Sequence, residues 1–229
     1  ICAKPDDNRL PCAPVLTFDG PECTEYVSEE ACGTITYVHE LSWKPNFSGN
    51  CDDELSGYRL YFNPEGMPDS TFTQIGQYTA QQLRATLQNL PNYKGCYYLT
   101  AVDRSGNESP KSNVVCVDNC PNYLLPNAFS PNSDGLNDTF MAFDNPFSKC
   151  PRFVTQVELF IVNRWGTEVF RYASQSATEN DPFIRWDGKD PSGNELPAGT
   201  YYFSGTVFFD VVDPSKKQQT LKGTIQLLR

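Results

Sequence analysis

Methionine and histidine are nearly absent from this chain, long apolar runs are missing, and each shortage closes off a class of protein. The methionines are Met67 and Met141, and the lone histidine is His39. No stretch of about 18 apolar residues occurs, so no transmembrane segment is expected. Positive charge is scarce as well: 18 Lys and Arg stand against 28 Asp and Glu, a formal charge of −10. The imbalance is uneven, with 16 acidic and 8 basic residues in 1–120 but 12 and 10 in 121–229. Nothing supplies the basic patch that nucleic acid needs, so no nucleic-acid partner is expected. His39 lies within an alternating apolar and polar run beside Glu40, where a single histidine is structural rather than a base. Catalysis finds little else, since Asp52, Asp53 and Glu54 read as a solvated turn, and the expectation is no enzyme.

What the chain has in quantity is cysteine, proline, glycine and aromatic rings. Nine cysteines stand at positions 2, 12, 23, 32, 51, 96, 116, 120 and 150. That density with irregular spacing belongs to an oxidising compartment. Structural zinc prefers two close Cys or Cys/His pairs, but no CxxC occurs and the closest pair is Cys116 with Cys120, so disulfides are preferred to metal thiolates. The disulfide candidates are Cys51, Cys96, Cys116, Cys120 and Cys150; Cys51 and Cys96 could staple neighbouring strands, and sequence leaves the connectivity open. An odd count leaves one over, and Cys2 is expected to pair outside the chain. Ile1 opens without a signal peptide, which reads as a piece of something larger. With 18 Pro and 15 Gly, the composition favours short strands joined by tight turns over long helices.

Residues 1–30 show Cys, Pro and acidic residues without periodicity and are read as a disulfide-stapled connector. Alternation then begins. Ile35–Trp43, Gly57–Phe62, Phe72–Tyr78 and Cys96–Val102 alternate apolar and polar residues, and 113–117 adds a short β run. Turn-formers separate them at 45–50, 63–66 and 105–107. Trp43 on an early strand, Leu90-Pro91 leading into Tyr97-Tyr98-Leu99-Thr100-Ala101-Val102-Asp103, and the following Ser-Gly-Asn-Glu-Ser resemble a fibronectin type III domain over about 31–120. The resemblance implies that Trp43 fills the space between two sheets and that a tyrosine near the penultimate strand bonds its hydroxyl to the chain near Leu90, the tyrosine-corner arrangement.

The second half has its own strands: Val154–Trp165, Glu168–Tyr172, Tyr201–Val212 and Leu221–Arg229. The first is apolar at Val157, Leu159 and Ile161 and also at Val154, Phe160 and Val162, so it is expected to be central and covered on both faces. LPNAFSPNSDGLNDTF (125–140), NRWGTEVF (163–170), RWDGKD (185–190), LPAGTYYF (196–203) and the terminal LKGTIQLLR, in this order, resemble the gliding-motility-associated C-terminal domain over 121–229. That family resembles the type B signal of the type IX secretion system in large Bacteroidota surface proteins. The resemblance implies an address and an attachment: a secreted, cell-surface, outer-membrane-associated protein of adhesin or motility type that passes through the periplasm. It implies as partners the type IX translocon, a PorP/SprF-like outer-membrane carrier and upstream domains of the same polypeptide. One departure from the family is Ser133, where glycine is usual. Another is Cys150, open to pairing with Cys120 or Cys116.

A folded address must be read as a surface, and the terminal strand offers one. Lys222, Gly223, Thr224, Ile225, Gln226, Leu227, Leu228 and Arg229 are the candidate carrier-recognition residues, since an edge strand can pair through its main chain. The alternative is that this strand only completes the sandwich. Lys216, Lys217, Lys222 and Arg229 make the segment basic. In the loop, Ser130, Asn132, Asp134, the Leu136 carbonyl and Asp138 follow the spacing of a calcium loop, but Met141 stands where the closing Glu belongs and no helices flank it. Calcium as a cofactor thus competes with side chains that close turns on their own backbone. Trp165 and Trp186 read as packing under turns in preference to a sugar-stacking platform. The fold expected is all-β, two tandem antiparallel β-sandwich domains of immunoglobulin/fibronectin III-like type. A ligand-binding adhesive module for glycan or protein stands as the second function.

Overall fold

A computed structural model describes residues 9–29, 36–48, 51, 54–143, 150–174 and 184–229. The chain forms two compact units, Ile1–Glu22 with Ile35–Asp118, and Cys23–Thr34 with Asn119–Arg229.

Among the described residues, the first unit is a seven-stranded sandwich. Its strands are β1 (Val15–Phe18), β2 (Tyr37–Lys44), β3 (Leu55–Asn63), β4 (Thr73–Thr79), β5 (Arg84–Leu90), β6 (Gly95–Asp103) and β7 (Val115–Val117). One sheet has the order β1-β2-β5 and the other β4-β3-β6-β7, and every pairing is antiparallel. Period-two alternation sends His39, Leu41 and Trp43 of β2 inward, where they meet Tyr58, Leu60, Tyr97 and Leu99 of the facing sheet. Trp43 fills the middle as its position suggested, edge-on to Tyr58 at 5.6 Å. Within 1–30, read from the sequence as a disulfide-stapled connector, the structure adds the strand β1, whose Leu16 pairs with Trp43 and is buried. The tyrosine corner also differs: the Tyr97 hydroxyl meets His39 Nδ1 at 2.7 Å, while the Tyr93 hydroxyl donates to the Pro21 carbonyl at 3.1 Å.

In the second unit, the short helix α1 (Cys23–Glu29) precedes β8 (Ala128–Phe129), β9 (Val154–Val162), β10 (Glu168–Ala173), β11 (Gly199–Phe209) and β12 (Gln218–Leu227). The sheet order is β10-β9-β11-β12-β8, antiparallel throughout except for β8, which runs parallel to β12. β9 is flanked on both edges, as its sequence suggested, but only Val157, Leu159 and Ile161 are fully buried, whereas Val154, Phe160 and Val162 stay partly exposed. The facing layer is held by isolated bridges, Asn122 to Arg152 and Phe140 to Trp186. Trp186 is the hub of this core, 5.2 Å from the Phe129 ring and 5.4 Å from Tyr201, with its Nε1 donating to the Lys189 carbonyl at 2.9 Å. Two glycines make the sheet possible. A Cβ on Gly205 would collide with the Glu158 carbonyl oxygen, and one on Gly223 would stand 2.7 Å from the Phe203 ring that lies across it.

Disulfides lock both units, in pairings that spacing could not assign. Cys12 joins Cys51, and Cys96 joins Cys116 directly across β6 and β7, with Cα atoms 4.1 Å apart. The Cys51–Cys96 staple therefore does not form. In the second unit Cys23 at the start of α1 joins Cys120. Cys150 is disulfide-bonded as well, but Cys120 and Cys116 are both committed elsewhere. Cys2 and the Asp52-Asp53 pair lie outside the described residues.

Candidate functional site

The motifs of the second half converge on one end of its sheet. β12 ends at Leu227 opposite Gly199, where β11 begins, and Val162 at the end of β9 pairs with Tyr202 beside it. The loop 130–138 leaves β8, whose Phe129 pairs with Leu227, from the same end. Asn119 marks the opposite end, its Nδ2 donating to the Asp210 carbonyl at 2.6 Å. Each turn at the motif-bearing end is closed by its own polar side chains. Asn163 Oδ1 accepts from the Trp165 and Thr167 N–H groups, both at 3.0 Å. Asp190 Oδ1 accepts from the N–H groups of Asn194 and Ser192, and these bonds, Asn194's foremost, hold its carboxyl below the usual range. Tyr201, at the start of β11, donates its hydroxyl to the Pro197 carbonyl four residues back at 2.8 Å. That is the tyrosine-corner geometry, in the second unit rather than the first.

The loop with calcium-like spacing uses its oxygens on itself. Asp138 Oδ1 accepts from the N–H groups of Asn132 at 3.0 Å and Ser133 at 2.6 Å, and its Oδ2 from Gly135 at 2.8 Å. Asp134 Oδ1 accepts from Leu136 N–H at 2.8 Å, and Asn132 Nδ2 donates to Asp134 Oδ2 at 2.9 Å. These bonds, from Asn132 foremost, lower the Asp134 pKa. Ser130 contributes its backbone N–H to the Asn137 carbonyl. Ser133 has a left-handed φ of 64°, a backbone state that glycine adopts without penalty. Among the described residues no group of three or more His, Cys, Asp and Glu side chains is arranged to hold a metal. The loop's geometry is that of linked side-chain turns.

Trp165 departs from its sequence reading. Trp186 is 1% exposed but Trp165 is 73% exposed, at the tip of the β9–β10 hairpin. The Arg164 guanidinium stacks 4.3 Å from its ring centroid, beside a 110 Å³ cleft lined by Pro197, Ala198 and Tyr201.

The terminal strand divides into two parts. At its end, Gln226 N–H donates to the Asn127 carbonyl at 2.8 Å and Leu228 N–H to Phe129 at 3.0 Å, so β8 covers this flank. Arg229 is also engaged, through Nη1 with Glu195 at 2.8 Å and Nε with the Leu196 carbonyl at 3.0 Å. The flank from Gln218 to Thr224 pairs with no strand among the described residues. Of the residues singled out in the sequence, Lys222, Gly223 and Thr224 fall on the uncovered part, while Gln226, Leu227, Leu228 and Arg229 lie beside β8 or at its end. Gln218 to Thr220 went unrecognised, because all three are polar and exposed and carry no apolar alternation.

Two antiparallel sheets of three and four strands around an early-strand tryptophan, followed by a second β unit, define an all-β chain of fibronectin type III and immunoglobulin-like class. Residues 123–227 match the CHU_C type IX secretion signal domain. A signal of this class implies a secreted or cell-surface protein that meets the secretion system. Comparison with curated proteins finds no match. Among solved structures, the chain is similar to the fibronectin type III domain of human fibronectin type III domain containing protein 3, with 18% identity, 50% of this chain and 90% of that one covered, and a TM-score of 0.33. A two-domain fibronectin type III segment of chicken tenascin shares 12% identity over 93% of this chain and 98% of that one, at a TM-score of 0.38. A β-1,2-glucanase from Parabacteroides distasonis shares 24% identity over 48% of this chain and 13% of its own, at 0.32. Among the described residues no helix is long and apolar enough to cross a membrane.

Proposed function

We propose that the second unit, through its segment Asn119–Arg229, is a folded export address, carried by a large adhesin or gliding-motility type surface protein and read at the outer membrane by a carrier of the PorP/SprF-like kind. The observation that carries this is the coincidence of the matched stretch, 123–227, with one compact unit that the Cys23–Cys120 disulfide cross-links. A signal held in such a body is read as a surface rather than as an unfolded peptide. β12 is the element suited to be read, because among the described residues part of its main chain is unpaired along one flank. The first unit acts as a non-catalytic spacer or adhesive domain.

The test is surface display of the full chain in type IX-competent cells, scored by protease accessibility on intact cells. The full chain is displayed and a chain lacking 119–229 stays in the periplasm; equal display of the two overturns the reading.

A second function, adhesion, is favoured by one feature of the first unit. On the outer face of the β3–β6 sheet Tyr61 stacks on Tyr98 at 4.5 Å, and Phe72 leans on Tyr98 at 4.9 Å. Around them Glu108 accepts from Tyr61 and Thr100 and pairs with Arg59. Aromatic surface ringed by polar groups suits glycan or protein contact. Binding of the full chain to a glycan array, lost in Tyr98→Ala, is the expected outcome, and no binding removes this reading.

A further inference from the structure

We propose that the uncovered flank of β12 from Gln218 to Thr224 is a strand-addition site, and that its occupant is a β-strand of the outer-membrane carrier bearing a carboxylate opposite Lys222. This rests on the reading of the second unit as an export address, and adds the segment, the direction of its hydrogen bonds and the charge of its partner.

Parity along the strand sets the direction. Gln226 and Leu228 turn their N–H groups toward β8, and backbone groups of alternate strand residues point the same way. Thr220, Lys222 and Thr224 therefore turn their N–H and C=O groups to the same flank, beyond the reach of β8, which pairs only with Gln226 and Leu227. The odd residues Leu221, Ile225 and Leu227 are buried, so register cannot slip by one without exposing them. The even side chains Thr220, Lys222 and Thr224 are exposed and flank any added strand. Gln218 to Thr224 spans about 23 Å at roughly 3.3 Å per residue, a normal strand length. β8 stops the added strand at its far end, which fixes where it can lie.

Charge selects the occupant. The chain carries −10 overall, yet residues 214–229 contain Lys216, Lys217, Lys222 and Arg229 and no acidic residue. A second copy of this chain paired antiparallel about Lys222, the middle of the outward-turned Thr220, Lys222 and Thr224, would set Lys222 against Lys222, which like-charge repulsion disfavours. An incoming strand with Asp or Glu at that register gains a cross-strand ion pair instead.

The test uses the full chain in type IX-competent cells, with display scored on intact cells and folding by thermal unfolding of the purified protein. Lys222→Pro removes an outward N–H that β11 does not use and blocks strand addition. Lys222→Glu keeps the N–H and reverses the charge, so it tests the same flank even where the proline variant folds poorly. Lys222→Arg restores the charge, and Lys216→Glu makes the same reversal off the flank. The expected result is display reduced toward the level of the 119–229 deletion in Lys222→Pro and Lys222→Glu, with melting temperature retained in Lys222→Glu and wild-type display in Lys222→Arg and Lys216→Glu. Wild-type display of Lys222→Glu overturns the proposal while the address reading stands, provided the deletion is still retained. Wild-type display of the deletion overturns the address reading itself. A concentration-dependent dimer that Lys222→Pro abolishes identifies a second copy as the occupant and also overturns it.

Discussion

The Tyr97 hydroxyl sits 2.7 Å from His39 Nδ1 in the core of the first unit, with the imidazole edge-on to Phe18 at 5.1 Å and to Tyr93 at 5.0 Å. Burial among three aromatic rings disfavours the imidazolium and lowers the His39 pKa from 6.5 to about 4, against a smaller opposing hydrogen bond with the Tyr93 backbone. In the unfolded chain the imidazole takes its proton near pH 6.5, so between there and about pH 4 the unfolded state binds more protons. Stability contributed by neutral His39 is thus complete above pH 6.5 and is lost as pH falls through this window, by about 3 kcal/mol in total. Unfolding by urea at pH 7.5 and 5.5 checks it. The wild type loses more stability than His39→Phe over this interval, which lies above the ordinary carboxylate range.

Removing the Cys23–Cys120 bridge with a double Ser substitution frees a loop of 97 residues. Chain entropy alone assigns such a loop about 4–5 kcal/mol, an upper figure because other disulfides already restrict the unfolded chain. The expected result is a lower melting temperature for the second unit and little change in the first. Separate transitions in calorimetry, followed with and without the bridge, provide the measurement.

Asp138 gathers three backbone N–H groups of its loop, from Asn132, Ser133 and Gly135. Asp138→Ala leaves these donors to water and costs about 1–2 kcal/mol, in the range of losing a helix cap. Hydrogen exchange reads the result as faster exchange of those amides. Were calcium the loop's organiser, adding a chelator to the wild type would reproduce the same acceleration; self-closed turns are indifferent to it.

Much of the architecture was legible because it rests on local alternation. Trp43, Leu41 and His39 on β2, Tyr97 and Leu99 on β6, and Val157, Leu159 and Ile161 on β9 all follow period two and all face a core. β5 escaped because it lies at a sheet edge and buries fully only Ala85, so its sequence RATLQNL carries no apolar stripe. β1 escaped for a different reason: VLTF is four residues among Pro and Cys, and only pairing with β2 makes it a strand. The disulfide pairings and the direction of the Tyr97 hydroxyl depend on contacts 20 to 97 residues apart, which composition does not encode. The terminal strand was visible in LKGTIQLLR. Which of its residues keep an open flank was not, since that is decided by the two-residue parallel pairing of β8.

Trp165 and Trp186 make the sharpest pair for testing how environment, rather than residue type, sets energetic weight. Both adjoin turns and both read alike in sequence. Trp186 is enclosed by Phe129, Phe140, Phe170 and Tyr201 and its indole N–H is satisfied by the Lys189 carbonyl. Trp186→Ala therefore opens a cavity and strands that carbonyl, at a cost of about 3–5 kcal/mol. Trp165, exposed over 73% of its surface, gives up mainly its stacking with Arg164, worth about 0.5–1 kcal/mol at an exposed site. Trp165→Ala is accordingly expected to unfold within a few degrees of wild type while Trp186→Ala unfolds far below it. Comparable losses from the two would mean that the hairpin tip is packed in solution and its exposed ring is not free.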